Sequence, residues 1–200
     1  MRKEPIVLIA IVGLAAALRF SGLTRGESDF VPSGEVGAAA YYHFHPDEET
    51  LVRAALRLQS LFDPPLTAYG TLPMLVGRGV LEVGGEGRAF VLRALRFFSG
   101  VLSLMTVALV FWIGRTHWGL AVAALFTATA PVAVQQAHFY TVDGIFTLLA
   151  LAVLGVGLWA VAANRRGLLL LAGVLVGVAA ATRLIVAAVV HDYVGVEEQT

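Results

Sequence analysis

The chain has 200 residues, 58% of them hydrophobic and only 14% charged, with a formal net charge of zero and a mean hydropathy of +0.80. A single water-soluble core of this size cannot bury that much apolar side chain, so the surplus must face lipid. The neutral balance offers no footing for a nucleic-acid partner, and the absence of cysteine excludes disulfides and thiolate metal sites.

Hydropathy marks five candidate spans, at 6–23, 97–114, 118–134, 144–163 and 168–190. The first follows Met-Arg-Lys-Glu-Pro and has the look of a signal peptide. Its length matches a spanning helix, however, and no small-x-small cleavage site precedes Glu27, so it reads as an uncleaved first span. The spans are rich in Leu, Val, Ala and Gly, and their small residues let membrane helices approach closely.

Between the first two spans lies a long segment of mixed character. Residues 24–40 are rich in Gly, Ser and acidic groups and read as a loop. Over 47–62, Leu51, Ala54, Ala55, Leu58 and Leu61 fall at helical spacing with Arg53, Arg57 and Gln59 on other faces. That pattern predicts an amphipathic helix, too short and polar to span, lying at the membrane interface. Asp63-Pro64-Pro65 ends it, and a second short apolar stretch runs from Tyr69 to about Val83, before the Gly-rich turn at 84–87. The expected fold is therefore an all-α, multi-pass transmembrane bundle of about five spans, with interfacial amphipathic helices in its first external loop.

Orientation follows from basic residues in the short connections. Arg2 and Lys3, then Arg115 and His117, then Asn164, Arg165 and Arg166 fall on one side if the spans alternate. Assigned to the cytoplasm, that side leaves the long loop, the connection 135–143 and the polar tail 191–200 outside. Trp112, Trp118 and Trp159 sit near the cytoplasmic ends as interface anchors.

Two acidic groups then share the external face. His45-Pro46-Asp47-Glu48-Glu49 opens the amphipathic helix. Asp47 as an N-cap with Glu in the first turn satisfies the orphan N–H groups and the helix dipole. The same carboxylates, held rigidly beside a cavity, could act as a general base or bind a hard divalent cation. Asp143, after His138-Phe139-Tyr140-Thr141-Val142, begins the fourth span and admits the same two readings. The topology brings Asp47 and Asp143 to one face, where a shared site requires them to meet. Arg19 and Arg93 read as snorkelling interface residues. Arg183, with seven apolar residues after it, falls within the hydrocarbon zone, where a lipid phosphate is an apt partner for a guanidinium.

The ordered series His45-Pro46-Asp47-Glu48, Tyr69-Gly70-Thr71-Leu72-Pro73, Arg96-Phe97-Phe98-Ser99-Gly100, Gly114-Arg115, the run from Ala130-Pro131 to Asp143, and Gly173 to Arg183 resembles the N-terminal half of the GT-C glycosyltransferases. The likeness is to the protein O-mannosyltransferase and aminoarabinose-transferase type. The resemblance implies a transferase of the plasma or inner membrane that moves a sugar from a polyprenyl-phosphate carrier to a hydroxyl on a protein, lipid or glycan acceptor. It further implies Asp47 and Glu48 as a catalytic and metal-associated pair, Asp143 as a second catalytic carboxylate, and Arg96 and Arg183 at the lipid phosphate. Residues 1–190 would form the N-terminal part of such a module, which in the family continues with further spans. A transporter subunit and a non-catalytic membrane scaffold are the competing classes; the former needs polar or broken helices near mid-membrane.

Overall fold

The computed structural model describes residues 4–24, 45–60, 65–66, 69–84, 88–114 and 118–182. Among them are eight helices: α1 (Glu4–Phe20), α2 (Pro46–Arg57), α3 (Thr71–Gly84), α4 (Arg88–Gly114), α5 (Trp118–Thr129), α6 (Pro131–Ala137), α7 (Val142–Ala163) and α8 (Arg166–Ala180). The described chain is all-helical. Two segments, Phe90–Gly114 and Val142–Ala163, are long and apolar enough to cross a membrane, and Pro5–Phe20 and Arg166–Ala180 are shorter apolar helices. The loop 24–40, the turn 84–87 and Arg183 lie wholly or largely outside the described residues.

The long helices run up and down beside one another. Ile11 and Ala15 of α1 pack with Val107 and Phe111 of α4 and Ala124 and Ala128 of α5. At one end Trp112 of α4 and Trp159 of α7 form an edge-to-face pair 6.3 Å apart. The opposite end gathers the C-terminus of α1, the starts of α4 and α7, and both α2 and α3. There Leu51 and Val52 of α2, Met74 of α3, Val91, Leu92 and Leu95 of α4, and Tyr140, Val142 and Ile145 form one buried cluster. Apolar residues at helical spacing on α2 give the face that it buries in this cluster.

Small residues set the close approaches at this end. A Cβ on Gly77 of α3 would sit 2.9 Å from the Cβ of Ala55 on α2. Gly70 donates its N–H to the Thr182 carbonyl at 3.2 Å, tying the start of α3 to the end of α8. A Cβ at Gly70 would fall 1.8 Å from the Ala181 carbonyl oxygen, so any larger residue breaks that tie.

The apolar run 118–134 is not one helix. It breaks at Ala130 between α5 and α6, because Pro131 has no N–H to give the Thr127 carbonyl and its ring crowds that turn. Arg19 meets the break. It is fully buried and donates to the Thr127 carbonyl at 3.0 Å, to the Ala128 carbonyl at 2.7 Å and to Ser103 Oγ at 2.7 Å. The snorkelling expected of Arg19 is thus replaced by an inward role. Carbonyls freed by a helix break need donors wherever water is excluded, and α1 supplies them.

Candidate functional site

The acidic turn of α2 begins with His45, not Asp47. Pro46 occupies the first helical position, where its missing N–H costs nothing, and the His45 ring accepts the Asp47 N–H at 3.2 Å. Asp47 is therefore a first-turn residue whose carboxylate does not cap the helix. It is about one-third exposed, with the His45 ring nitrogen 4.0 Å from its carboxylate.

Glu48, the next residue, is buried. Arg96 of α4 grips it with both arms of the guanidinium, Nε to Oε1 at 2.8 Å and Nη2 to Oε2 at 2.7 Å. Both side chains are almost wholly excluded from solvent. A third arm of Arg96 reaches the Leu23 carbonyl at 3.4 Å, and the Phe139 ring lies 5.8 Å from its central carbon. The backbone N–H of Tyr140 donates to Glu48 Oε1 at 3.3 Å. One carboxylate thereby joins α2, α4 and the α6–α7 connection. Such fork-to-fork pairs are the strong and directional form of ion pair.

The arrangement redistributes the expected roles. Arg96, anticipated at a lipid phosphate, has committed its fork to Glu48. A cation held between Asp47 and Glu48 does not fit the donor set: both Glu48 oxygens face the Arg96 guanidinium, and no group of three His, Asp or Glu side chains among the described residues converges as metal ligands. Asp143 stands half-buried in the first turn of α7, three residues after the Tyr140 that contacts Glu48, so the two acidic turns belong to the same end of the bundle.

Three residues join this region that sequence reasoning assigned no role. The Phe139 ring lies against the His45 ring at 5.6 Å. Tyr140 is fully buried and donates its hydroxyl to the Pro73 carbonyl at 2.5 Å; burial pushes its phenol well above the usual value. Thr141 caps α7 without a side-chain bond, and its hydroxyl is buried with no partner among the described residues. Their signal was the run His138–Asp143, in which three polar side chains alternate with apolar ones at a helix start. Nearby, Ser99, Ser103 and Thr106 of α4 with Thr127, Gln136 and Thr147 place hydroxyl and amide groups around a small, mostly apolar cavity of about 90 Å³ between α4, α5, α6 and α7.

No protein-family model, curated protein or solved structure matches this chain.

Proposed function

We propose that the chain is a membrane glycosyltransferase module of the GT-C kind, with Asp47 as its base. The carrying observation is the contrast between two adjacent carboxylates: Arg96 clamps buried Glu48 in place, and Asp47 is thereby held, part-exposed, at the rigid start of α2. A clamped neighbour is what a base needs to hold its geometry. The acceptor hydroxyl would lose its proton to Asp47 as its oxygen bonds to the anomeric carbon. The bond from that carbon to the carrier phosphate would break on the opposite side, inverting the sugar. Asp143, at the same end of the bundle, would act beside it. The resemblance supplies the donor class, a polyprenyl-phosphate sugar, and Arg183 remains its phosphate partner.

Membrane placement is the coarser part of the proposal. Ile6, Ile9, Phe126, Val161, Leu170 and Val174 each leave more than half of their surface exposed. An apolar belt of that extent is unfavourable in water and natural in lipid. We place five crossings in the membrane, counting α5 and α6 as one broken span, with α2 and α3 at the outer interface and the N-terminus inside. The broken span also suits a transporter, but Arg19 already occupies the carbonyls that a break would offer to an ion.

The test is Asp47→Asn in the full-length gene product. Membranes carrying it are supplied with polyprenyl-phosphate mannose or aminoarabinose, and sugar leaving the carrier is measured against protein level. Since Asp47 does not cap α2, the variant should fold normally and lose about a hundred- to ten-thousand-fold in rate. Near-normal transfer would remove Asp47 from the chemistry.

A further inference from the structure

The α7–α8 hairpin carries an open apolar groove of about 540 Å³, lined by Val153, Leu154, Gly157, Leu158, Val161 and Leu169 among others. It lies at the end of the bundle away from Asp47. Two features say what fills it. The floor is Gly157, where a Cβ would meet nothing within 4 Å, so the groove has room for a slender apolar chain. Its mouth is basic. The hairpin turns through Asn164 in the left-handed conformation, φ 50°, and presents Arg165 and Arg166, both exposed. Arg166 lies three residues before Leu169 on α8, a spacing that puts both on one helix face, so the charge stands directly above the apolar lining. No acidic residue occurs in the sequence between Asp143 and Asp192, and no carboxylate among the described residues pairs with either arginine.

We infer that this groove seats one acyl chain of an anionic phospholipid whose headgroup phosphate is held by Arg165 and Arg166. An acyl chain matches the apolar slot, and the two guanidinium groups match the phosphate. Anionic lipids are concentrated in the cytoplasmic leaflet, the side to which the basic connections assign this hairpin. The inference rests on the membrane placement proposed above and is independent of the transferase chemistry.

Trp159, adjacent to Leu158 in the groove wall, provides the readout in a chain that carries Trp112→Phe and Trp118→Phe, which leave it the one tryptophan. The chain is reconstituted into nanodiscs of phosphatidylcholine containing either brominated phosphatidylglycerol or brominated phosphatidylcholine, and quenching of tryptophan fluorescence is compared. Phosphatidylglycerol should be preferred about tenfold or more, the scale that two arginines near a membrane surface confer. Arg165→Gln/Arg166→Gln should bring the preference close to unity while leaving quenching intact. Gly157→Leu, whose Cβ meets nothing within 4 Å and whose branch would occupy the groove, should weaken quenching by both lipids. Equal quenching by the two lipids in the unaltered protein, or a preference that survives the double arginine change, overturns the headgroup site. Undiminished quenching in Gly157→Leu overturns the groove as the seat of the chain. Absence of quenching by any brominated lipid would instead overturn the membrane placement itself.

Discussion

Arg96 and Glu48, 48 residues apart, close a two-bond ion pair of 2.7 and 2.8 Å in which both side chains are shut off from solvent. The pair is the joint between α2 and the long helix α4, and its energetics are asymmetric. Removing one partner strands a buried charge, at a cost of about 3–5 kcal/mol, whereas replacing both by apolar groups of similar volume is often neutral. Arg96→Met alone should therefore lower the thermal unfolding midpoint in detergent sharply. Adding Glu48→Leu should recover much of the loss. If the double variant recovers stability but sugar transfer stays lost, the pair serves to position Asp47; recovery of both would reduce it to a structural joint.

Tyr140 gives a pH signature. Burial raises its phenol above the unfolded value of about 10, and its hydroxyl donates to the Pro73 carbonyl. The folded state thus holds this proton more tightly than the unfolded state. The associated stability is fully present below pH of about 10 and is lost as pH rises further, since the unfolded phenol ionises first. Tyr140→Phe should be less stable by about 1 kcal/mol at neutral pH through the missing hydrogen bond. That gap should narrow in melts recorded above pH of about 10. A gap constant across the alkaline range would show that the hydroxyl is not held as described.

Thr141 offers a test of purpose. A buried hydroxyl without a partner costs about 1–3 kcal/mol, and the side chain performs no capping. Thr141→Val keeps the shape and removes that cost, so the midpoint should stay level or rise. Reduced transfer in the same variant would assign the hydroxyl to a bound substrate. A clear loss of stability would mean that the hydroxyl has a partner after all.

The Arg19 arrangement predicts a specific rescue. Arg19→Met leaves the carbonyls of Thr127 and Ala128 without their donors and should destabilise the bundle by about 1–3 kcal/mol for each. Pro131→Ala restores an N–H that Thr127 can accept as the helix closes over the gap. Combined with Arg19→Met it should return part of the lost stability. Strict additivity of the two changes would contradict the link between them.

Much of the bundle could be read from hydropathy, because apolar runs such as 144–163 are local and need no partner to be recognised. Leu51, Ala54 and Ala55 similarly declared the buried face of α2. What escaped were features that depend on meeting across the fold. The run 118–134 is apolar throughout, and hydropathy does not register that Pro131 divides it. Arg19 and Arg93 looked alike in sequence, both charges near a span end, yet Arg19 turns inward to answer that break. Asp47 and Glu48 are adjacent acids on one helical turn, and only the position of Arg96 separates the clamped one from the presented one. Pro46 moved the cap to His45, a residue whose ring is seldom chosen for that task over Ser, Thr, Asp or Asn.

The bonds from Arg19 to the α5–α6 break bear on how the chain matures. An N-terminal hydrophobic segment behind a basic start is the kind that a signal peptidase handles, and in many exported proteins it is discarded. Here the last turn of that segment holds the donors for two carbonyls more than a hundred residues downstream. Loss of α1 would take those donors away, and on the membrane placement proposed above each carbonyl left unsatisfied would cost several kcal/mol. The first helix is thus packed into the described bundle, and the carbonyls at the α5–α6 break have these donors only with α1 beside them. On the proposed membrane placement, insertion should proceed with α1 retained until α5 and α6 arrive.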